Sequence, residues 1–191
     1  APGSNAVALT VEFTLDMSKL PKSPFTDVTA GAWFYDAVLY ASGRELMVGT
    51  ADATFSPNMP MTRAMLVAVL HRLAGSPSVS GKMPFTDVEA DTWYTEAVLW
   101  AYQNDIVAGT SDTTFEPLSN ITREQIVAIF SRYTAKFAPD KAKATAELTA
   151  FADSASVSDW AVNDMKWAVA QKIIGGRENG GRLYLAPQGN A

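Results

Sequence analysis

A Thr-Arg pair opens two similar apolar segments, "MTRAMLVAVLHRLAG" at 61–75 and "ITREQIVAIFSRYTA" at 121–135. The guanidinium group of arginine is a planar fork of donors that matches a carboxylate. A cation in the first turn of a helix opposes the helix dipole, so these two positions are unfavourable for helix stability. Because the same choice is made twice, we interpret Arg63 and Arg123 as candidate contacts for an anionic ligand.

Two further residue types recur once per copy of a longer pattern. Trp33, Trp93 and Trp160 offer a flat apolar face with a polar edge, which suits packing on a sugar ring, although on residue chemistry alone a tryptophan repeated at a helix start is more often a core residue. The corresponding aspartates can accept hydrogen bonds from sugar hydroxyls, or can instead cap a local turn. These acids are Asp27, Asp87 and Asp153.

The residue inventory argues against catalysis. The chain has one histidine, His71, which aligns with Ser131 in the next copy, and it has no cysteine, so triads and thiolate metal sites are poor candidates. The acids that stand out recur once per repeat rather than as an asymmetric acid/base pair. The loops that follow the first helices have too few spaced carboxylates for an EF-hand. We therefore expect a protein that is not an enzyme, with no cofactor and no metal.

Composition sets the class of chain. Apolar residues make up 48% and charged residues 18% of the 191 residues, which favours a folded chain over a disordered one. No apolar run approaches the roughly 20 residues needed to cross a bilayer, so no membrane partner is expected. A net charge of −5 argues against nucleic acid as a partner.

Internal repetition is the dominant pattern. Residues 25–73 and 85–133 align without gaps with 21 identities in 49 positions, and a third copy starts at Phe151 with small insertions. The interval from tryptophan to glycine is sixteen residues in each copy, from Trp33, Trp93 and Trp160 to Gly49, Gly109 and Gly176. The boundaries we predict are an extension at 1–24 and repeats at 25–75, 85–137 and 151–191.

Each repeat is predicted to contain a helix, a turn-rich loop and a second helix. Apolar residues at three-and-four spacing follow each tryptophan, and we expect the glycine to end that helix. The loops "GTADATFSP" and "GTSDTTFEP" are anchored by Phe55 and Phe115. Thr62 and Thr122 are expected N-caps, and Gln125 completes a capping box that Met65 cannot form as well. The apolar runs "LVAVL" and "IVAIF" predict deeply buried second helices.

Two segments outside the repeats carry weaker signals. In the N-terminal extension, Val7, Leu9, Val11, Phe13 and Leu15 alternate with mostly small or polar residues, which is typical of a strand. This strand would belong to an upstream domain or pair between two copies of the protein, which makes self-association possible. The linker at 138–150 has the composition of a loop that could hold a short helical turn.

The ordered combination of Phe-x-Asp, Trp, an apolar helix, Gly, a Phe-x-Pro loop and Thr-Arg resembles the S-layer homology family over roughly residues 25–191. The family motif is Thr-Arg-Ala-Glu, and here it reads Thr62-Arg63-Ala64-Met65 and Thr122-Arg123-Glu124-Gln125. The resemblance implies a mostly α fold in which three helix-loop-helix repeats surround a central bundle with pseudo-threefold symmetry and have grooves between them.

The same resemblance implies a function. Family members attach bacterial surface proteins noncovalently to secondary cell wall polymers that are linked to peptidoglycan and often carry pyruvate ketals. It therefore implies an extracellular protein of the cell wall or S-layer, with the arginines, tryptophans and aspartates named above as carbohydrate contacts. A structural or self-association module without glycan binding stays as the alternative. On the repeat spacing a third arginine would fall at 193, past Ala191, so we expect at least one incomplete groove.

Overall fold

The structure is a computed structural model that describes residues 23–191. The predicted strand at 7–15 lies outside the described residues. The chain divides into two compact units, residues 1–57 and 58–191, and each is considered by itself.

The first unit contains one helix, α1 (Tyr35–Gly43), among its described residues. The helix contributes Val38 to a small core with Phe25 and Val28. The Phe25 ring packs on that of Phe55, with ring centroids 5.2 Å apart. Phe55 therefore anchors the loop after α1, as the sequence predicts.

The second unit holds four α-helices and a short antiparallel hairpin among its described residues. The helices are α2 (Arg63–Leu73), α3 (Thr95–Gln103), α4 (Arg123–Phe137) and α5 (Val162–Ala170). The hairpin joins β1 (Arg177–Asn179) to β2 (Arg182–Tyr184), with Arg177 opposite Tyr184. A mostly α fold is confirmed, and the hairpin lies in the segment between Gly176 and Pro187, which is three residues longer than its equivalent in the second repeat.

The first helix of each repeat ends earlier than expected. We predicted that Gly49, Gly109 and Gly176 end these helices, and this is wrong, because α1, α3 and α5 end six residues before them. In each case the residue directly after the C-cap adopts the left-handed conformation, with φ near 58°, and this ends the helix. These residues are Glu45, Asp105 and Lys172. In α3, for example, the Ile106 amide donates to Ala101 at 2.9 Å and the Asp105 amide donates to Tyr102 at 3.0 Å, which is a Schellman ending.

The glycines have another role, which is close packing against the first residue of each repeat. A Cβ atom placed on Gly49 would lie 2.8 Å from the Phe25 ring, and one on Gly176 would lie 2.7 Å from the Phe151 ring. Both glycines also have positive φ, at 85° and 76°. The fixed spacing from tryptophan to glycine thus reports a loop that folds back on an aromatic ring rather than a helix end.

The second helices begin with the predicted threonine caps. The Thr122 hydroxyl accepts from the Gln125 amide at 3.3 Å, and the Gln125 side chain accepts from the Thr122 amide at 3.1 Å. Met65 takes the same place in α2, where its sulfur lies 3.5 Å from the Thr62 amide nitrogen. Because a thioether is a weak acceptor, the cap of α2 has the same geometry with a weaker bond.

The second helices are buried as the apolar runs predict. Leu66, Val67 and Leu70 of α2 are 0–2% exposed, and Val127 of α4 is 2% exposed. The first helix of the following repeat packs beside each of them, α3 on α2 and α5 on α4. The predicted helical turn in the linker is confirmed as a 3₁₀ segment, Pro139–Lys143, whose Lys141 carbonyl accepts from the Trp167 indole at 3.0 Å.

Three residues at equivalent repeat positions form a closed ring of backbone hydrogen bonds in the second unit. The Met61 amide donates to Ala191 at 2.8 Å, Ala191 donates to Ile121 at 3.1 Å, and Ile121 donates to Met61 at 2.9 Å. Ile121 is fully buried at this ring. The ring fixes the chain immediately before α2 and α4, and therefore fixes where both Thr-Arg pairs begin.

Candidate functional site

The backbone at the start of α2 is bonded to the loop of the second repeat. The Arg63 amide donates to Ser119 at 3.1 Å and the Ala64 amide donates to Pro117 at 2.9 Å. These are two of the amides that a helix cannot satisfy internally. The loop of one repeat thus completes the helix of the repeat before it.

The same arrangement recurs at the start of α4. The Arg123 amide donates to Gly189 and the Glu124 amide donates to Pro187, both at 2.9 Å. Each arginine side chain is consequently placed against the loop of the next repeat. We call these two places the Arg63 site (Arg63, Asp87, Phe115) and the Arg123 site (Arg123, Asp153, Leu185).

In the Arg63 site the guanidinium group is largely buried. Its Nε donates to the Phe115 carbonyl at 2.7 Å, one terminal nitrogen lies 3.5 Å from the Ala108 carbonyl, and the group stacks 4.6 Å from the centre of the Phe115 ring. Arg63 is 6% exposed. Burial lowers the pKa of Arg63, and the charges of Glu116 and Asp87 oppose that change.

In the Arg123 site the guanidinium group is more open. Its Nε donates to the Leu185 carbonyl at 2.7 Å, and the residue is half-buried. Within residues 23–191, no group accepts a hydrogen bond from its terminal nitrogens. Burial is the largest cause of a lowered pKa at Arg123; the Arg177 charge lowers it further and Asp153 opposes the change.

Neither arginine is neutralised by a direct ion pair among the described residues. In that part of the chain, every buried side-chain nitrogen or oxygen also has a hydrogen-bond partner. The unpartnered terminal nitrogens of Arg123 must therefore reach the surface. An exposed guanidinium edge whose Nε is fixed by a carbonyl is pre-oriented to receive a carboxylate.

The three aspartates share one contact that the sequence did not predict. Each carboxylate accepts from two successive backbone amides about thirty residues later, rather than from its own turn. The bonds of Asp87 go to Phe115 at 2.9 Å and Glu116 at 2.7 Å, and those of Asp153 go to Leu185 at 2.8 Å and Ala186 at 2.7 Å. In the first unit, Asp27 accepts from Phe55 at 2.9 Å and Ser56 at 2.7 Å.

This contact stabilises a strained loop. The second amide in each pair belongs to a residue with positive φ that is not glycine: these are Ser56, Glu116 and Ala186, with φ of 60°, 56° and 49°. The bond from Phe55 is the largest cause of a lowered pKa at Asp27. The carboxylates of all three aspartates thus accept from backbone amides, and Asp87 and Asp153 act on the Arg63 and Arg123 sites by shaping the loop of each.

The three tryptophans are exposed, so the alternative interpretation of them as core residues is wrong. Trp33 is 93% exposed, Trp93 is 56% and Trp160 is 54%. Trp33 and Trp93 each stack edge-on against the following aromatic residue, Phe34 and Tyr94, with centroids 5.5 and 5.0 Å apart. Among the described residues, no ring contact or hydrogen bond joins Trp93 to Arg63 or Trp160 to Arg123.

Two residues near the Arg123 site were not singled out from the sequence. Glu124 is 4% exposed, and its carboxylate accepts from the Ser158 amide at 3.1 Å and the Ser158 hydroxyl at 2.9 Å. This bond ties the turn that carries Trp160 to the residue beside Arg123. The second is Arg177 at the start of β1. Both positions differ from the preceding repeat in the sequence. Glu124 stands where the first repeat has Ala64, and Arg177 stands where the second repeat has Thr110.

Residues 23–191 contain no cluster of three side chains suited to hold a metal ion. None of the helices in that range combines the length and the apolar character that a membrane crossing requires. The two sites can present a guanidinium group and backbone carbonyls, and at the Arg123 site the turn that carries the exposed Trp160 is bonded to the neighbouring Glu124.

The sequence profile of the S-layer homology domain matches residues 24–64, 84–127 and 150–191. The chain belongs to the S-layer homology family. This confirms the resemblance stated from the Phe-x-Asp, Trp and Thr-Arg motifs, including its three tandem repeats.

Several relatives share the domain. The chain is 31% identical over 159 residues to an amylopullulanase of Thermoanaerobacterium thermosulfurigenes, covering 83% of the chain and 8% of the relative. It is 30% identical over 174 residues to an endoglucanase of Bacillus sp. (strain KSM-635), covering 91% and 18%. It is 32% identical over 141 residues to the surface-layer 125 kDa protein of Lysinibacillus sphaericus, covering 73% and 11%.

The chain thus spans less than a fifth of the length of each of these relatives. Two of them are named as enzymes and one as a surface-layer protein. The region they share with this chain therefore occurs in proteins with different names and activities. An S-layer homology domain is a non-catalytic module in such proteins. The family and its surface-layer and cell-surface members agree with the extracellular cell-wall location that the resemblance implies.

Proposed function

We propose that this chain is a noncovalent cell-wall anchor that binds an anionic, pyruvylated secondary cell wall polymer through the Arg63 and Arg123 sites. The observation that carries the proposal is the guanidinium geometry. In both sites Nε donates to a loop carbonyl at 2.7 Å. At Arg123 the terminal nitrogens have no acceptor within residues 23–191 and can meet a ligand carboxylate, whereas at Arg63 one terminal nitrogen donates to the Ala108 carbonyl at 3.5 Å and the residue is 6% exposed.

Exposed indoles support a saccharide as the carrier of that carboxylate. Trp93 and Trp160 are more than half exposed, and solvent-exposed indoles on a rigid turn are suited to the C–H face of a sugar. Trp33 has the same position in the first repeat. In this proposal the aspartates contribute by fixing the loop carbonyls that orient the arginines, rather than by direct contact with the glycan.

The net charge of −5 does not prevent binding of an acidic polymer. Physiological salt screens exposed charges beyond about 8 Å, so a local cation can bind while the overall charge repels weakly. We also propose the pseudo-threefold arrangement that the family implies, and the ring of Met61, Ile121 and Ala191 supports it for the three segments that enter the ring.

The test is retention of the purified chain by isolated cell-wall sacculi whose secondary polymer carries pyruvate ketals. Arg123→Lys keeps the charge but removes the fork, and we expect at least a tenfold weaker retention. Arg44→Ala is the matched control, because Arg44 is exposed and stacks on Tyr40 in the first unit. Equal retention of Arg123→Lys and the unmodified chain would show that the Arg123 fork does not hold the polymer, and absence of retention of the folded, unmodified chain would favour the structural alternative.

A second experiment uses sacculi from which mild acid has removed the pyruvate ketals. It distinguishes binding to the ketal carboxylate from binding to any other component of the wall. We expect the unmodified chain to be released from the treated sacculi. Undiminished retention would show that another wall component is bound. Thermal melts recorded in parallel exclude unfolding as the cause of lost retention.

A further inference from the structure

The hairpin of the third repeat brings a second cation to the Arg123 site. Arg177 begins β1 and pairs with Tyr184, the residue directly before Leu185. The carbonyl of Leu185 is the acceptor for Arg123 Nε at 2.7 Å. The pairing of the two strands therefore places Arg177 beside the carbonyl that orients the Arg123 fork.

Both cations are available to a ligand. Arg177 is exposed, and within residues 23–191 no carboxylate lies within ion-pair distance of it. The terminal nitrogens of Arg123 likewise have no acceptor in the described part of the chain. An anion lying between the two side chains would not have to displace an existing ion pair.

The two sites differ in the charges that act on the central arginine. At the Arg63 site the acting charges are the carboxylates of Glu116 and Asp87. At the Arg123 site they are the cation Arg177 and the carboxylate of Asp153. The Arg63 site thus combines one cation with two carboxylates, whereas the Arg123 site combines two cations with one carboxylate.

Two substitutions between the repeats produce this difference. Thr110 follows Gly109 in the second repeat, whereas Arg177 follows Gly176 in the third. Glu116 precedes Pro117, whereas Ala186 precedes Pro187. The first change adds a cation and the second removes an anion, while the backbone bonds to the helix start are the same at both sites.

We propose that Arg123 and Arg177 together form the principal anion site of the chain, which binds the carboxylate of an acidic saccharide, and that the Arg63 site contributes less. The inference rests on the proposed function and names the residue pair that performs it. Two cations that share the single carboxylate of Asp153 keep an excess of positive charge, and a bound ligand carboxylate relieves their repulsion. A carboxylate between two guanidinium groups also accepts more charge-assisted hydrogen bonds than at one.

The test compares two variants of the same hairpin on ketal-bearing sacculi. Arg177→Thr installs the residue of the second repeat, and we expect about a tenfold loss of affinity and a weaker dependence on salt concentration. Arg182→Thr removes the other arginine of the hairpin, opposite Asn179, and we expect less than a twofold change. An unchanged Arg177→Thr, or an equal loss in both variants, overturns the inference.

A converse experiment gives the Arg63 site the charges of the Arg123 site, by adding a second arginine and removing one carboxylate. The probe is a soluble methyl hexoside with a 4,6-pyruvate ketal, and its methyl ester is the uncharged control. We expect one strong site per chain, and a second one in the double variant Thr110→Arg with Glu116→Ala. A double variant that gains no site overturns the inference, as does a chain that sacculi retain but that fails to bind the ketal probe.

The two proposals fail differently. If the sacculi do not retain the unmodified, folded chain, the proposed function is wrong and this inference fails with it. If they retain the unmodified chain and Arg177→Thr equally, only the inference is wrong.

Discussion

The Arg63 and Arg123 sites have the same backbone and different side chains. At both, two amides of a helix start donate to the loop of the next repeat, and an arginine Nε donates to a loop carbonyl. The Arg63 site adds a phenylalanine ring that stacks on the guanidinium group, whereas leucine, Leu185, occupies the equivalent sequence position at the Arg123 site. The comparison indicates that the backbone scaffold is common to both sites, whereas a change within the Phe-x-Pro loop, from Phe115 to Leu185, accompanies the greater exposure of Arg123.

The largest expected effect comes from the aspartates that shape both loops. Asp87→Ala leaves two backbone amides without their charged acceptor and frees a residue with positive φ, next to the fully buried Phe115. Hydrogen bonds to charged groups contribute about 1.5–3 kcal/mol each, and some replacement by water is available here, so we expect a loss of about 3 kcal/mol. Chemical denaturation measures it.

Asp153→Ala tests whether the two loops are equivalent. Its carboxylate makes the same pair of bonds to Leu185 and Ala186. We expect a loss within about 1 kcal/mol of that for Asp87→Ala. A loss below about 0.5 kcal/mol in either variant would show that the carboxylate does not hold the loop.

The arginines themselves should differ in their contribution to stability. Arg63 is nearly buried and stacks on Phe115, so Arg63→Ala removes a hydrogen bond and packing contacts, and we expect about 2 kcal/mol of destabilisation. Arg123 is half-buried, and within residues 23–191 its side chain donates to Leu185 alone, so Arg123→Ala should cost about 1 kcal/mol. Thermal or urea unfolding measures both; the reverse order would contradict the exposure difference.

Much of this scaffold could be predicted from the sequence. The repeats, the threonine caps and the buried runs of α2 and α4 follow from spacing and residue type, because those signals act over a few neighbouring residues. The family could also be identified from the ordered motifs. The fold class was predictable as mostly α, since apolar spacing after each tryptophan indicates a helix.

Other features depend on contacts between residues that are distant in the chain. The bonds of Asp87 span 28 and 29 residues, and the Nε bonds of Arg63 and Arg123 span 52 and 62. No local spacing rule reports such partners. The helix ends were missed because Glu45, Asp105 and Lys172 adopt the left-handed conformation in which glycine is expected. Arg177 was missed because its closeness to Arg123 depends on strand pairing: Arg177 lies opposite Tyr184, and the next residue, Leu185, accepts from Arg123 Nε.

A smaller effect separates the two helix caps. Met65→Gln gives α2 the side chain that completes the cap of α4, where the amide of Thr122 meets an oxygen at 3.1 Å. We expect about 0.5 kcal/mol of stabilisation, and about the same loss for Gln125→Met. Urea midpoints of the two variants check this. A destabilised Met65→Gln, or no change in both variants, would show that the sulfur at Met65 is at least as good an acceptor as the amide oxygen.

The smallest effect concerns the packing of α5 on α4. Asp164 in α5 stands where α1 and α3 have alanine, at Ala37 and Ala97. Burial is the largest cause of a raised pKa at Asp164, while a hydrogen bond from Ser131 and the charge of Arg132 oppose it. The folded state therefore holds this proton more tightly than the unfolded state does.

It follows that the contribution of Asp164 to stability is greatest below its unfolded pKa of 3.8 and falls as pH rises through the higher folded value. Asp164→Asn keeps the shape and removes the charge, so we expect it to exceed the unmodified chain in stability by about 0.5 kcal/mol at pH 7 and to match it near pH 3. Urea unfolding across pH 3–7 provides the comparison. Parallel stability curves for the two proteins would mean that the carboxylate is no more costly inside the α4–α5 contact than in the unfolded chain, and that the side-chain differences between repeats matter only at the arginine sites.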